Sequence, residues 1–188
     1  MKPLELPVFT RRIFLNGTLQ ALGIAAALPL SAWAKQESAT GAATAPKPAV
    51  DIPRLEFLDS KEYVTLDAVG DTLIPEGGAF ELGAREAGLA RRIDHYLTKM
   101  DPAVATGFRG ALAFVEQQAP GLAGKAAPFT ALSTDDRTAV FNAMLKAGGL
   151  PAGILLALKF VSVAHFYTMD ATWKFTGYDG PMLLEGAR

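Results

Sequence analysis

Between Ile154 and Met169 the chain carries a run that is apolar on nearly every side, broken only by Lys159, Ser162, His165 and Thr168. A helix without a polar face has to be covered by its own domain, by a partner or by lipid. Lipid loses on two counts. The run makes about 24 Å of helix at ~1.5 Å per residue, short of the roughly 30 Å hydrocarbon layer. Lys159 would also sit mid-span, at about 2.5–3.5 kcal/mol. The expectation is a core helix wrapped by its neighbours, or one that shares its apolar surface with another subunit. No segment of useful length alternates with a period of two, so the class is all-α.

Four further helices fit around that one, giving a compact bundle of about five. The first follows Asp59, with Ser60 as its cap, Tyr63, Leu66, Val69, Leu73 and Ile74 as its apolar stripe, and Pro75, Gly77 and Gly78 as its stop. A second is expected from about Ala84 to Lys99, with Ala87, Ala90, Ile93, Tyr96 and Leu97 on one face. The third opens with Pro102 in its first turn and stripes Val104, Phe108, Leu112 and Val115 before Pro120 and Gly121. The fourth is capped by Ser133 and helped by Asp135 and Asp136 at the positive end of its dipole. It buries Val140, Phe141, Met144 and Leu145 and ends at Gly148 and Gly149. Thr172 to Arg188 mixes aromatic and turn residues and reads as an irregular tail. Its Trp173, Phe175 and Tyr178 have two open placements: folded back onto the domain's own core, or docked on another protein. With Phe160 and Tyr167 on the outer face of the fifth helix, they form the partner interface expected from the sequence.

Ahead of the domain, Arg11 and Arg12 precede Phe14 and Leu15, an apolar run follows from Leu19 to Leu30, and then come Ala32, Trp33 and Ala34. This order resembles a twin-arginine export signal, residues 1–34, cut after Ala34, with small side chains at Ala32 and Ala34 for the peptidase. Residues 35–54 are rich in Ala, Thr, Lys and Pro and read as a flexible linker and mobile tether, leaving the helical domain to residues 55–188. A twin-arginine signal implies a periplasmic destination and the twin-arginine translocase as a partner. That route carries folded cargo, often with its cofactor already inserted.

Nothing downstream is built to hold such a cofactor. The chain has no Cys, which removes disulfides, thiolate ligands, iron–sulfur clusters and covalent haem attachment. Its two His, His95 and His165, stand in no metal-binding spacing. The glycine pairs follow helices rather than strands, which excludes phosphate loops of the dinucleotide type. With 18 basic against 19 acidic residues and no cationic run, nucleic-acid binding is excluded as well. Asp94 and His95 are neighbours but point about 100° apart on a helix, poor geometry for an acid/base pair. Asp67 and Asp71, one turn apart with Glu62 near, read as a solvated face. No catalytic, cofactor-binding or metal residue is expected.

Four short motifs occur in order: Asp71-Thr72-Leu73-Ile74-Pro75 before a Gly-rich turn, Ile93-Asp94 with Tyr96-Leu97, Leu132 to Arg137, and Gly177-Tyr178-Asp179-Gly180-Pro181. Together, over about Phe57 to Pro181, they resemble the gluconate 2-dehydrogenase subunit 3 family. The resemblance implies a non-catalytic accessory subunit of a periplasmic, membrane-associated sugar, sugar-acid or alcohol dehydrogenase. In such complexes the large subunit is a flavoprotein of the glucose-methanol-choline type holding FAD, and electrons often leave through a cytochrome c subunit holding haem c. The small subunit supports maturation and stability of the large one and escorts it through the twin-arginine pore. The alternative, second to this one, is a free-standing periplasmic helical protein that binds an apolar ligand or serves as a scaffold.

Overall fold

The computed structural model describes residues 54–78 and 81–179. Arg11, Arg12, Phe14, Leu15, Ala32 and Ala34, and the linker up to residue 53, lie outside the described residues. Among the described residues the chain is helical without a strand: α1 Ser60–Leu73, α2 Leu89–Leu97, α3 Pro102–Gln117, α4 Ala119–Leu122, a 3-10 turn Phe129–Ala131, α5 Thr134–Ala147, α6 Gly149–Tyr167 and α7 Asp170–Thr176.

The helix at the centre is α1, which touches α2, α3, α5 and α6. Leu66 and Val69 are fully enclosed, and the small Ala68 and Gly70 let neighbours come close. A β-carbon at position 70 would stand 3.3 Å from that of Ala84. The cap is Asp59, not the expected Ser60. Its carboxylate accepts the Glu62 N–H at 2.8 Å while Glu62 accepts the Asp59 N–H at 2.9 Å, a reciprocal box that leaves residue 60 already helical.

The second helix is shorter than expected, beginning at Leu89 rather than Ala84. Gly88 takes φ 73° and ψ 31°, a left-handed geometry that breaks the helical path before it. The preceding segment is tied instead by the Ala84 N–H to the Ile74 carbonyl at 2.9 Å. In α3 Pro102 occupies the first turn and Asp101 caps Ala103 at 2.8 Å, but the buried face runs through Ala105, Phe108, Ala111, Leu112 and Val115, with Val104 at its margin. In α5 Ser133 caps as expected and Val140, Phe141 and Met144 are buried, whereas Leu145 is exposed because it stands about 100° around the helix from Met144.

Two corrections concern the C-terminal part. First, α6 starts at Gly149 and is 19 residues long, about 28 Å at ~1.5 Å per residue, so its length and composition would suffice to cross a membrane. The argument from length therefore falls. The argument from packing replaces it: Ile154, Leu155, Ala157, Leu158, Ser162 and Phe166 are buried, and the helix contacts α1, α2 and α5. Its other side is half-exposed, with Leu156 49% and Phe160 47% accessible, so among the described residues α6 is a flank of the domain rather than a helix wrapped on all sides. Second, the expected irregular tail begins with the two turns of α7. The Thr172 hydroxyl, fully buried, donates to the carbonyls of Phe166 and Met169 at 2.9 and 2.7 Å and folds the chain back on the end of α6. Tail residues from Gly180 onward lie outside the described residues.

Candidate functional site

The outer face of α6 carries Leu156, Phe160, Val163 and Tyr167 at steps of four, three and four, which places them on one stripe. Leu156, Phe160 and Tyr167 are each between 44% and 49% exposed. Val163 and Tyr167 also wall a cleft of about 210 Å³, whose other side is Leu73, Ile74 and Pro75 at the end of α1, with Leu82. Beyond it the α7 aromatics are ordered among themselves. Trp173 and Tyr178 meet edge to face with centroids 5.2 Å apart, and the Lys174 ammonium lies 4.6 Å from the Phe175 ring centre. Trp173 and Phe175 are half-buried and Tyr178 is half-exposed.

Several polar residues have roles that sequence reasoning missed. Asp94 is buried, and its carboxylate accepts three backbone N–H groups, from Glu56 at 2.8 Å, Phe57 at 3.1 Å and Leu58 at 2.7 Å. It clamps the incoming chain onto α2. His95 Nδ1 instead faces outward to the Glu56 carboxylate at 2.9 Å, so the two neighbours serve one strand of chain from two sides. The signal that could have found the clamp is a carboxylate inside an apolar face, between Ile93 and Leu97.

Asp67 and Asp71 do not form the expected solvated face. Asp67 is buried and pairs with Arg85 Nε at 2.9 Å; Asp71 stands 3.1 Å from Arg85 and 3.8 Å from Arg137. Burial pulls the Arg85 pKa down, but the hydrogen bond to Asp67 and the charges of Asp67 and Asp71 outweigh it and leave it raised. For Arg137 burial dominates and the pKa is lowered, with its guanidinium donating to the carbonyls of Phe129 at 3.2 Å and Thr130 at 2.8 Å. These four charges join α1, the 81–88 turn, the 3-10 segment and α5. His165 packs its ring against Tyr96 with centroids 4.4 Å apart, and burial together with the charge of Arg92 lowers its pKa.

The larger cavity, about 490 Å³, is an open groove between α1 and α3. Its carboxylates are engaged: Glu116 accepts from the Thr130 N–H and hydroxyl at 3.0 and 2.6 Å, and Glu62 pairs with Arg109 at 2.6 Å. Such a groove differs from the enclosed apolar chamber that an apolar ligand needs. Among the described residues no group of three or more His, Asp or Glu could hold a metal ion.

The family model for gluconate 2-dehydrogenase subunit 3 matches residues 60–178, from the first residue of α1 to Tyr178. The chain belongs to this family. Searches among curated proteins and among solved structures gave no significant match. As a gluconate 2-dehydrogenase subunit 3 protein, the chain is an accessory subunit of a dehydrogenase complex. The matched region takes in all seven α-helices of the described residues, and with them the α6 stripe and the aromatics Trp173, Phe175 and Tyr178.

Proposed function

We propose that this subunit is non-catalytic and that it binds, matures and escorts through the twin-arginine route a flavoprotein large subunit of the glucose-methanol-choline type. FAD and the oxidation of a sugar, sugar acid or alcohol belong to that partner, and a cytochrome c subunit with haem c takes the electrons onward. The observation that carries the reading is the apolar stripe on α6, exposed in a chain whose family is defined as one subunit of a complex. Phe160, Tyr167, Trp173, Phe175 and Tyr178 form the docking face, since large aromatic side chains dominate interface energetics. The absence of Cys and the engaged state of the groove carboxylates support a role without chemistry of its own.

The test is export. Arg11→Lys combined with Arg12→Lys keeps the charge but removes the planar guanidinium pair. Dehydrogenase activity in the periplasmic fraction is expected to vanish together with this subunit. A partner that still reaches the periplasm in the double mutant overturns the escort reading.

A further inference from the structure

Charge is sorted between the two sides of α2. The one acid of the helix, Asp94, is buried, whereas Arg91, Arg92, His95 and, in the turn that follows, Lys99 are exposed. The Lys99 N–H donates to the Tyr96 carbonyl at 3.0 Å, so that turn prolongs the helix. Steps of four then set Arg91, His95 and Lys99 along one line about 12 Å long at ~1.5 Å per residue. We propose that this face docks an acidic segment of the large subunit, with carboxylates that reach Arg91 and Lys99.

The domain does not neutralise these cations itself. Among the described residues Arg85, Arg109, Arg137 and Lys125 all pair with acids, but Arg91, Arg92 and Lys99 pair with none. Arg92 donates instead to the uncharged Thr168 carbonyl and hydroxyl, both at 3.2 Å. Asp101, two residues beyond Lys99, is engaged in capping α3 through the Ala103 N–H at 2.8 Å. Exposed cations stand singly on the neighbouring helices, Lys146 on α5 and Lys159 on α6, so the cluster on α2 is a local segregation in a chain of 18 basic and 19 acidic residues.

A carboxylate already seated on the face shows what fits it. The Asp94 clamp holds residues 56–58 against α2, and both Glu56 carboxylate oxygens stand 2.9 Å from His95 Nδ1. Glu56 thus fills the middle of the line and leaves its two ends. The complementary segment carries two acids about 12 Å apart with neutral residues between them, four positions apart in an extended chain at ~3.3 Å per residue or eight apart on a helix. An acid in the middle would meet Glu56 and be repelled, which makes the pattern selective. The Tyr96–His165 ring contact and the Arg92 bonds to Thr168 set this face beside the end of α6, where α7 begins, so one partner can span both. The inference rests on the proposed pairing with a flavoprotein large subunit. Exposed charges of this kind act on encounter, raising the association rate in a salt-dependent way more than they tighten the finished complex.

The test follows the association rate of the full chain with the large subunit at low and high salt. Arg91→Glu with Lys99→Glu should slow association at least about tenfold at low salt and have little effect at high salt. Lys61→Glu with Lys146→Glu changes the net charge equally at exposed positions elsewhere and should slow it less than about threefold. Circular dichroism checks that the variants fold, and Arg91→Gln with Lys99→Gln replaces the reversal if it unfolds α2. Equal slowing by both pairs, or slowing that salt does not relieve, overturns the proposal. A second arm needs no large subunit: at low salt a capped peptide of two glutamates separated by three serines should shift backbone amide resonances of the full chain between Arg91 and Lys99. Shifts scattered over the surface, or none, overturn the proposal. So does binding of phosphatidylglycerol vesicles without binding of the peptide, which assigns the face to a membrane, or self-association that the Arg91/Lys99 reversal abolishes, which assigns it to a second copy. A large subunit that associates equally fast with the reversed pair refutes this inference alone, whereas one that associates with no form of the chain refutes the pairing on which it rests.

Discussion

Asp94→Asn tests the clamp that pins residues 56–58 to α2. The native carboxylate accepts from Phe57 and Leu58 through one oxygen and from Glu56 through the other. The amide keeps one oxygen but turns an NH2 group toward a backbone N–H, so at least one bond is lost outright and the remaining ones lose their charge. A hydrogen bond to a charged group contributes about 1.5–3 kcal/mol net, and a buried donor left alone costs about 1–3 kcal/mol. Glu56 itself is exposed and water can recover part of the loss, so the expected destabilisation is about 2–3 kcal/mol. At 1.36 kcal/mol per decade this is about thirty- to 160-fold in the folding equilibrium. Urea unfolding of the chain from Lys35 onward reads it as a lowered midpoint at constant slope. His95→Ala breaks only an exposed pair and should change stability by less than about 1 kcal/mol. The reasoning is refuted if Asp94→Asn shifts stability by under about 0.5 kcal/mol, or by no more than His95→Ala does.

Gly83→Ala should destabilise by about 1–3 kcal/mol in the same assay, because its β-carbon would stand 2.6 Å from the Glu76 backbone nitrogen and 3.0 Å from its α-carbon. For His165 the folded pKa lies below the ordinary 6.5 because burial and Arg92 disfavour the cation, so its contribution to stability is complete above 6.5 and is lost as pH falls through the lower folded value. Thermal melts of wild type and His165→Gln between pH 7.5 and 5 should converge toward the acid end, and parallel curves would contradict this assignment. Trp173→Ala and Tyr178→Ala each break the edge-to-face pair; the expectation is about a thirtyfold loss of association with the large subunit at ~2 kcal/mol, with the helical circular-dichroism signal retained. Melting of the isolated subunit with an intact complex would place these rings in the domain's own core.

The parts of the fold that depend on local chemistry could be read directly. Ser133 with Asp135 and Asp136 marks the start of α5, and Pro102 after Asp101 marks that of α3, because caps and first-turn residues act within three positions of where they stand. The start of α2 could not be read, since Ala84 to Gly88 has helical composition and only the left-handed Gly88 interrupts it. Position in the bundle was misjudged for a physical reason. Hydropathy ranks α6 above α1, yet α1 is the more enclosed, since its Ala68 and Gly70 admit neighbours on several sides while α6 presents bulky Leu156 and Phe160 to the outside. The stripe residues Phe160 and Tyr167 were legible as a face, because helical spacing alone groups them. The clamp and the four-charge junction were not, because Asp94 reaches residues 36 to 38 positions away and Asp67 reaches Arg85 across a turn.

The corner between α5 and α6 is specified by handedness. Gly148 has φ 66° and ψ −164°, a combination essentially closed to L-residues, and Gly149 follows at φ 52°. Nothing stands within 4 Å of where a β-carbon would be at either position, so space is not the constraint. The mirror image of the Gly148 geometry, φ −66° with ψ 164°, is ordinary extended backbone for an L-residue. A D-amino acid would therefore occupy position 148 without strain, whereas L-alanine, although smaller than the room available, would not. Two large helices of this subunit thus pack against each other through a joint that excludes one handedness of side chain and not its size.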